Sequence, residues 1–332
     1  MFYEGSEKKA EIMIDGDQLC LLKDFSDEFW TTMVEHCDAK ILSQISNADC
    51  KAFLLSESSL FVWRDRLVII TCGQTRLVRA VEFFMAKVDH QLVLQLVYQR
   101  KNEYFANGQS SRFIDDVQVL NNQMTGIAWR FGELYGHHNY LYHLDNDYCA
   151  DRERKTSELL AYQICESATA HLTSADVSAD EIRQFLRLDE LVPGFVLDDH
   201  VFSPCGYSLN AIKGQQYLTI HVTPQSVSSY ISFESNFDLI EKIPLILSII
   251  APACFDLLCF NEHQFEHKIT QHIGNSIGNS ISNGSNEHYV SKALVREQLD
   301  NGLEVCFASY IRPPSDFGRP TRLGLSEGQP VF

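Results

Sequence analysis

Ser208 and His221 are the first residues whose types and placement invite chemistry. They lie in CGYSLNAIKGQQYLTIHVT (205–223), on two strand-like runs separated by the turn Lys213-Gly214-Gln215. In 217–223, Leu218, Ile220 and Val222 share one face, while Tyr217, Thr219, His221 and Thr223 share the other. His221 therefore projects on the polar side, and Ser208 on the preceding strand comes within cross-strand reach. A serine facing a histidine is a proton-transfer pair. Two satisfied polar residues in a sheet are the commoner outcome, and spacing alone does not choose. A second polar group interrupts LLSESSLFVW (54–63), where Glu57, Ser58 and Ser59 stand between two apolar runs. The segment reads either as a tight turn or as a place where the chain is cut and a serine becomes a cofactor. Cys72 ends this hairpin much as His221 ends the later one, at a similar distance from its serine, which hints at two related halves meeting at one site.

The remaining candidates are plainer. Glu7, Lys9 and Glu11 share one face of a strand over 6–14, with Ala10, Ile12 and Ile14 on the other. Buried charges must be paired, so a solvated face is the simpler reading. His263, His267 and His272 have helical metal-ligand spacing but no cysteine companion, and read as surface histidines. His137-His138 reads as a loop. The Gly-Asn-Ser repeats of 273–286 lack the lysine and preceding strand of a phosphate loop and read as a mobile segment. No metal is expected.

The elements that position these residues come from periodicity and turn signals. Asp27–His36, Val78–Val88, Phe113–Asn121, Thr156–Ala170, Ser178–Leu188, Leu239–Ile250 and Ser291–Asn301 are expected helices. Phe53–Trp63, Leu67–Cys72, Leu92–Tyr98, Tyr140–Leu144, Phe195–Asp199, Tyr207–Ile212, Tyr217–Thr223, Tyr230–Glu234, Phe255–Phe260 and Glu304–Tyr310 are expected strands. Each half has paired strands and then helices, without glycine-rich βαβ turns. That predicts antiparallel sheets covered by helices, an α+β fold. The seam falls at 172/173, within one domain of 1–332; 265–290 is expected to be a flexible loop and 313–332 a tail.

The 332 residues are 45% hydrophobic, enough for a large core, and carry a formal charge of −17. Such a surface repels nucleic acid and favours cationic ligands. Ten cysteines without C-x-x-C pairs suit reduced thiols in a cytoplasmic protein. MFYEGSEKKAEI lacks a signal pattern, and the apolar run 243–260 is too interrupted to span a membrane.

Seven segments, in order, carry a resemblance. YEGSEKKAEI (3–12), LLSESSLFV (54–62), TCGQTRL (71–77), YQRKN (98–102), FSPCGYSLN (202–210), TIHVTP (219–224) and SYISFESN (229–236) together resemble the eukaryotic-type S-adenosylmethionine decarboxylase proenzymes. The likeness covers 3–102 and 191–261 well, 103–190 in patches, and is weak beyond 265. It implies a four-layer αββα sandwich, with the reactive site toward the edge of the layers and an acidic cluster between the sheets. It implies decarboxylation of S-adenosylmethionine for spermidine synthesis, after the Ser58 hydroxyl attacks the Glu57 carbonyl and the chain parts at 57/58. Ser58 would become a pyruvoyl group heading the chain 58–332, which stays associated with 1–57. That group takes the place of pyridoxal phosphate as electron sink, holding the substrate amine as a Schiff base.

Roles follow by motif. His221 would be the base for β-elimination, with Ser208 assisting. Cys72 would return a proton to the decarboxylated carbon, and Glu7 would lie in the active site. Tyr3, Glu4, Leu55, Glu57, Phe202 and Gln225 would surround the substrate, with Tyr3 and Phe202 sandwiching the adenine. Two departures stand out. Gln225 replaces the family's ribose-binding glutamate. In the acidic cluster that holds putrescine in animal members, Glu11, Thr156, Glu158 and Glu234 are matched, but an expected aspartate is Arg154 and an apolar position is Lys9. Both changes resemble plant members, which need no putrescine; Lys9 would supply the missing charge. Animal members are dimers and plant members monomers, so a homodimer stays open. Gln225 keeps open an ornithine or arginine decarboxylase, and a non-catalytic regulatory relative is the other alternative.

Overall fold

The computed structural model describes residues 7–56, 58–101, 108–174, 176–224, 229–274 and 289–313. Its first sheet is built from β1 (Lys8–Ile14), β2 (Ile41–Ser46), β3 (Cys50–Leu55), β4 (Ser58–Trp63), β5 (Arg66–Thr71), β6 (Val93–Lys101), β7 (Gly126–Gly132) and β8 (His138–Leu144). The second contains β9 (Thr156–Tyr162), β10 (Val196–Val201), β11 (Tyr207–Lys213), β12 (Gln216–Thr223), β13 (Tyr230–Ser235), β14 (Cys254–Phe260), β15 (Val290–Gln298) and β16 (Glu304–Ile311). The helices are α1 (Leu21–Asp24), α2 (Asp27–His36), α3 (Leu77–Met85), α4 (Phe113–Gln123), α5 (Glu166–Leu172), α6 (Ala179–Phe185), α7 (Leu188–Leu191), α8 (Ile243–Ile250) and α9 (Phe265–Lys268).

Strand order is β2-β3-β4-β5-β1-β6-β8-β7 in one sheet and β10-β11-β12-β13-β9-β14-β16-β15 in the other, antiparallel throughout. The two orders are the same path traced twice. The related halves expected from sequence are therefore present, but the hairpin β11–β12 matches β3–β4, one strand away from the β4–β5 hairpin that ends at Cys72.

Side-chain alternation separates the layers. Ala10, Ile12, Leu60, Val62, Leu67 and Ile69 pack with Trp30, Val81 and Phe84 of α2 and α3. Leu209, Ala211, Leu218, Ile220, Ile231 and Phe233 do the same against Ile182, Ile243 and Ile246 of α6 and α8. The opposite strand faces meet between the sheets, where Phe61, Trp63, Val68 and Ile70 contact Ile212 and Tyr217. This is the expected four-layer αββα arrangement. Local signals agree: Ser26 caps α2 by accepting from the Phe29 amide, and Ser178 with Glu181 forms a capping box at α6.

Several sequence expectations are overturned. Thr156–Tyr162 is a strand, not the start of a helix, because it is buried on both faces between β13 and β14. Sheet membership consequently changes between Leu144 and Thr156, ahead of the expected 172/173 seam. Ser291–Asn301 is also no helix: Lys292, Leu294 and Arg296 belong to the edge strand β15, whose helix-favouring residues face solvent while its backbone pairs with β16. Phe53–Trp63 is two strands folded at Ser56, which gives the turn reading of that segment. β2 and β7 are edge strands that the sequence reading missed, although Ile127, Trp129 and Phe131 alternate along β7.

Candidate active site

Ser58 opens β4 opposite Leu55 on β3 and Thr71 on β5. It is 2% exposed and has φ +133°. Adjacent residues in a regular strand point to opposite faces. By that rule Ser59 faces the second sheet, with Phe61 and Trp63, and Ser58 should face the helices. The positive φ breaks the pleat and turns both serines into the space between the sheets. A non-glycine residue in that conformation is strained by about 1–3 kcal/mol, and such strain concentrates where chemistry is done.

The two serines meet a polar group from the second sheet. Ser58 Oγ lies 2.8 Å from His221 Nε2, and Ser208 Oγ lies 3.1 Å from Nδ1. Ser208 and His221 are directly opposite in the β11–β12 register, as the turn between them required. Thr219 Oγ1 is 2.9 Å from Nε2 and Ser59 Oγ is 3.5 Å from it. Burial pushes the His221 pKa down to about 3, because an imidazolium here would lose its hydration. The ring is therefore a neutral base throughout the ordinary pH range.

Cys72 follows β5 directly. Since Ser58 pairs with Thr71, the thiol-bearing residue stands at the same end of the sheet as Ser58. The turn behind it is tied down: Thr75 Oγ1 donates to the Cys72 carbonyl at 2.9 Å, and Lys8 Nζ donates to the Gly73 carbonyl at 2.7 Å. Gly73, at φ +62°, permits that turn. Glu7 receives hydrogen bonds from Tyr230 OH at 2.7 Å and Ser232 Oγ at 2.5 Å. Burial raises its pKa, against the pull of those two donors and of Lys101. Lys101 sits 3.6 Å from the centre of the Tyr230 ring. Phe202 lies beyond β10, its amide bonded to the Gly206 carbonyl at 2.9 Å and its ring edge-on to His200. Leu55 is buried beside Ser58. Tyr3, Glu4, Glu57 and Gln225 lie outside the described residues.

The Glu-Lys-Glu face of β1 is buried between the sheets, not solvated. Lys9 Nζ lies 2.8 Å from Glu158 Oε1 and 3.0 Å from Glu234 Oε1. Those glutamates are directly opposite each other on β9 and β13. Tyr217 OH donates to Glu234 at 2.5 Å, and Arg66 pairs with Glu11 at 3.4 Å while stacking on Trp63. Burial raises the Glu234 pKa to about 7 in spite of Lys9, and raises Glu158 likewise. Burial alone would lower the Lys9 pKa, but Glu158, Glu234 and Glu11 hold it above its ordinary value. Thr156 is buried on the same strand face as Glu158. Arg154 does not join this group. It precedes β9, stays part-exposed, and pairs with Asp65 at 2.5 Å and Asp151 at 3.4 Å, so it links the two sheets at their rim.

Sequence reasoning missed Asn210, Ser232, Tyr230 and Lys101, although the strand parity that selected His221 also points Asn210 and Ser232 to the same layer. Among the described residues no cluster of three or more metal-ligating side chains occurs, and no helix is long and apolar enough to cross a membrane. His263 is surface-exposed and reaches Glu304 at 3.4 Å.

The adenosylmethionine decarboxylase family model matches residues 1–311. The S-adenosylmethionine decarboxylase proenzyme of Trypanosoma cruzi is 31% identical over 278 residues, covering 78% of this chain and 75% of that one. The Xenopus laevis proenzyme is 31% identical over 265 residues, covering 75% and 79%. Among solved structures, the Trypanosoma brucei AdoMetDC-delta26 monomer superposes with a TM-score of 0.58 at 24% identity, covering 77% of this chain and 99% of that one, a likeness of fold.

Proposed function

Because this chain belongs to the adenosylmethionine decarboxylase family, we propose that Ser58 is where it cuts itself and forms a pyruvoyl group. The activity that accompanies membership is decarboxylation of S-adenosylmethionine in polyamine synthesis. The observation that carries the reading is the 2.8 Å contact between Ser58 Oγ and a neutral His221 Nε2 supplied by the opposite sheet.

The surroundings of Ser58 fit a group made in place. The serine is buried and its backbone strained, with a base that is uncharged at neutral pH. Nε2 accepts the hydroxyl proton while Nδ1–H donates to Ser208 Oγ, an assignment made from the surrounding hydrogen bonds. The Ser58 oxygen then bonds to the Glu57 carbonyl carbon as the peptide C–N bond breaks, and the departing Ser58 amine takes the proton back from His221. Loss of the Ser58 Cα proton and of the new ester C–O bond frees residues 1–57, and hydrolysis of the resulting enamine leaves the ketone and ammonia. His221 is again the neutral base at hand for the Cα proton.

The pyruvoyl ketone supplies an electron sink for carboxylate loss. The chain's own residues do the rest. Cys72, fixed by Thr75 and the Gly73 turn, holds the proton to be returned to the substrate α carbon. Glu7, oriented by Tyr230 and Ser232, offers a carboxylate close to the charged substrate. Phe202 provides one aromatic face and Tyr3 the other for adenine and sulfonium. Lys9 places an ammonium between Glu158 and Glu234, so activity needs no putrescine.

Mass spectrometry of the purified chain tests this. Fragments 1–57 and 58–332, the latter headed by pyruvoyl, are expected, with carbon dioxide released from carboxyl-labelled S-adenosylmethionine without a diamine. An uncut chain, or a Ser58→Ala variant that still parts at 57/58, would refute it.

A further inference from the structure

The imidazole of His221 has more hydroxyl neighbours than it can serve. A neutral ring has one N–H and one lone pair. With Nδ1–H donating to Ser208, as in the cleavage step proposed above, the lone pair is on Nε2. Two hydroxyls stand equally close to that lone pair, Ser58 at 2.8 Å and Thr219 at 2.9 Å, with Ser59 at 3.5 Å. If Thr219 donates to Nε2, the Ser58 hydroxyl is left without its base.

Asn210 stands behind the competitors. It is fully buried, opposite Thr219 on β11. Its Oδ1 accepts from Ser59 Oγ at 2.6 Å and from Thr219 Oγ1 at 3.3 Å. The two lone pairs of one carbonyl oxygen can take both protons. Its Nδ2 is buried and has no hydrogen-bond partner among the described residues. Turned over, the amide would donate to Ser59 and Thr219 and send their protons toward Nε2.

We propose that Asn210 is a positioning residue for self-cleavage, drawing the Thr219 and Ser59 protons onto its carbonyl so that the His221 lone pair is left to Ser58. This rests on reading Ser58 as the self-cleaving nucleophile. The test follows conversion of freshly refolded full-length precursor on denaturing gels. Asn210→Leu removes the acceptor and should slow cleavage about tenfold, the value of one well-placed hydrogen bond. Adding Thr219→Val to that variant removes the competing proton and should restore most of the rate. A merely structural role predicts the reverse, since a second change in the same buried group would add damage. A double variant no faster than the single one overturns the proposal. If Asn210→Leu loses its cooperative melt, Asn210→Ala takes its place, and an unchanged cleavage rate in that variant overturns the proposal equally. A wild-type chain that never parts would sink the self-cleavage reading and this one together. A wild-type chain that parts, with Asn210 variants that keep pace, sinks this one alone.

Discussion

Replacing Lys9 with methionine tests the buried charges most directly. The stem keeps its length, so packing changes little, but Glu158 and Glu234 lose the ammonium they share at 2.8 and 3.0 Å. Each carboxylate can escape only by holding a proton. For a group whose ordinary pKa is 4.5, holding a proton at pH 7.5 costs about 4 kcal/mol, at about 1.4 kcal/mol per pH unit. Glu234, already raised to about 7, bears most of that cost in the native protein. Glu158 is raised as well, so part of its cost is also borne already, and the added burden stays within the roughly 3–5 kcal/mol lost on breaking a buried pair. The sign follows from the direction of the shift. A carboxyl raised in the folded state contributes fully below its unfolded pKa and loses that contribution as pH rises. The deficit of Lys9→Met should thus be largest at alkaline pH and vanish near pH 4.5. Urea midpoints of both proteins at half-unit intervals of pH would measure it. Putrescine, which brings back an ammonium, should raise the variant's stability and decarboxylation and leave the native protein unmoved. A deficit that is flat with pH, or native protein stimulated as strongly as the variant, would refute the reasoning.

Other outcomes follow from the same geometry. The His221 pKa, lowered to about 3 by burial, predicts that self-cleavage shows no inflection near pH 6.5; a bell-shaped or sigmoidal rate there would contradict it. The same depression costs nothing above pH 6.5 and penalises the fold increasingly as pH falls toward 3, by up to about 5 kcal/mol, readable as an acid-side fall in melting temperature. Tyr230→Phe removes a donor from Glu7 and should move the acid limb of the decarboxylation profile to higher pH without blocking cleavage. Arg154→Ala breaks a part-exposed link to Asp65 and should change stability by no more than about 1 kcal/mol, with no new response to putrescine.

What could be read from the sequence was whatever depended on alternation along one strand. The facing pair Ser208–His221 and the shared face of Glu7, Lys9 and Glu11 needed only period two and a turn. What the sequence hid was what depended on the other sheet. Thr156–Tyr162 looks helical because Ser157 and Glu158 break its apolar run, and those residues make sense only once Lys9 crosses from the other sheet to meet Glu158. Plain burial statistics favoured a solvated β1 face for the same reason, since Lys9's partners Glu158 and Glu234 come from the other sheet, far along the chain. Arg154, which the resemblance places in the acidic cluster, instead found Asp65 at the rim, because the chain there has not yet entered β9. The reach of both Ser58 and Ser59 into one layer could not be read at all, for it depends on one backbone angle.

That angle sits on a strand of one sheet, and the base it serves sits on a strand of the other. With self-cleavage at Ser58 as proposed, neither half of the molecule would hold a complete cutting apparatus, and a nascent chain would carry an unarmed blade until both sheets had formed and closed face to face. Self-cleavage would then act as a receipt for assembly, a misdocked chain staying whole and inert. The proposed cut would also come too late to release anything. β1, which would belong to the 1–57 piece, is threaded between β5 and β6, bonded on both edges. The small fragment is thus locked into the middle of a sheet, and the two polypeptides can separate only by melting together.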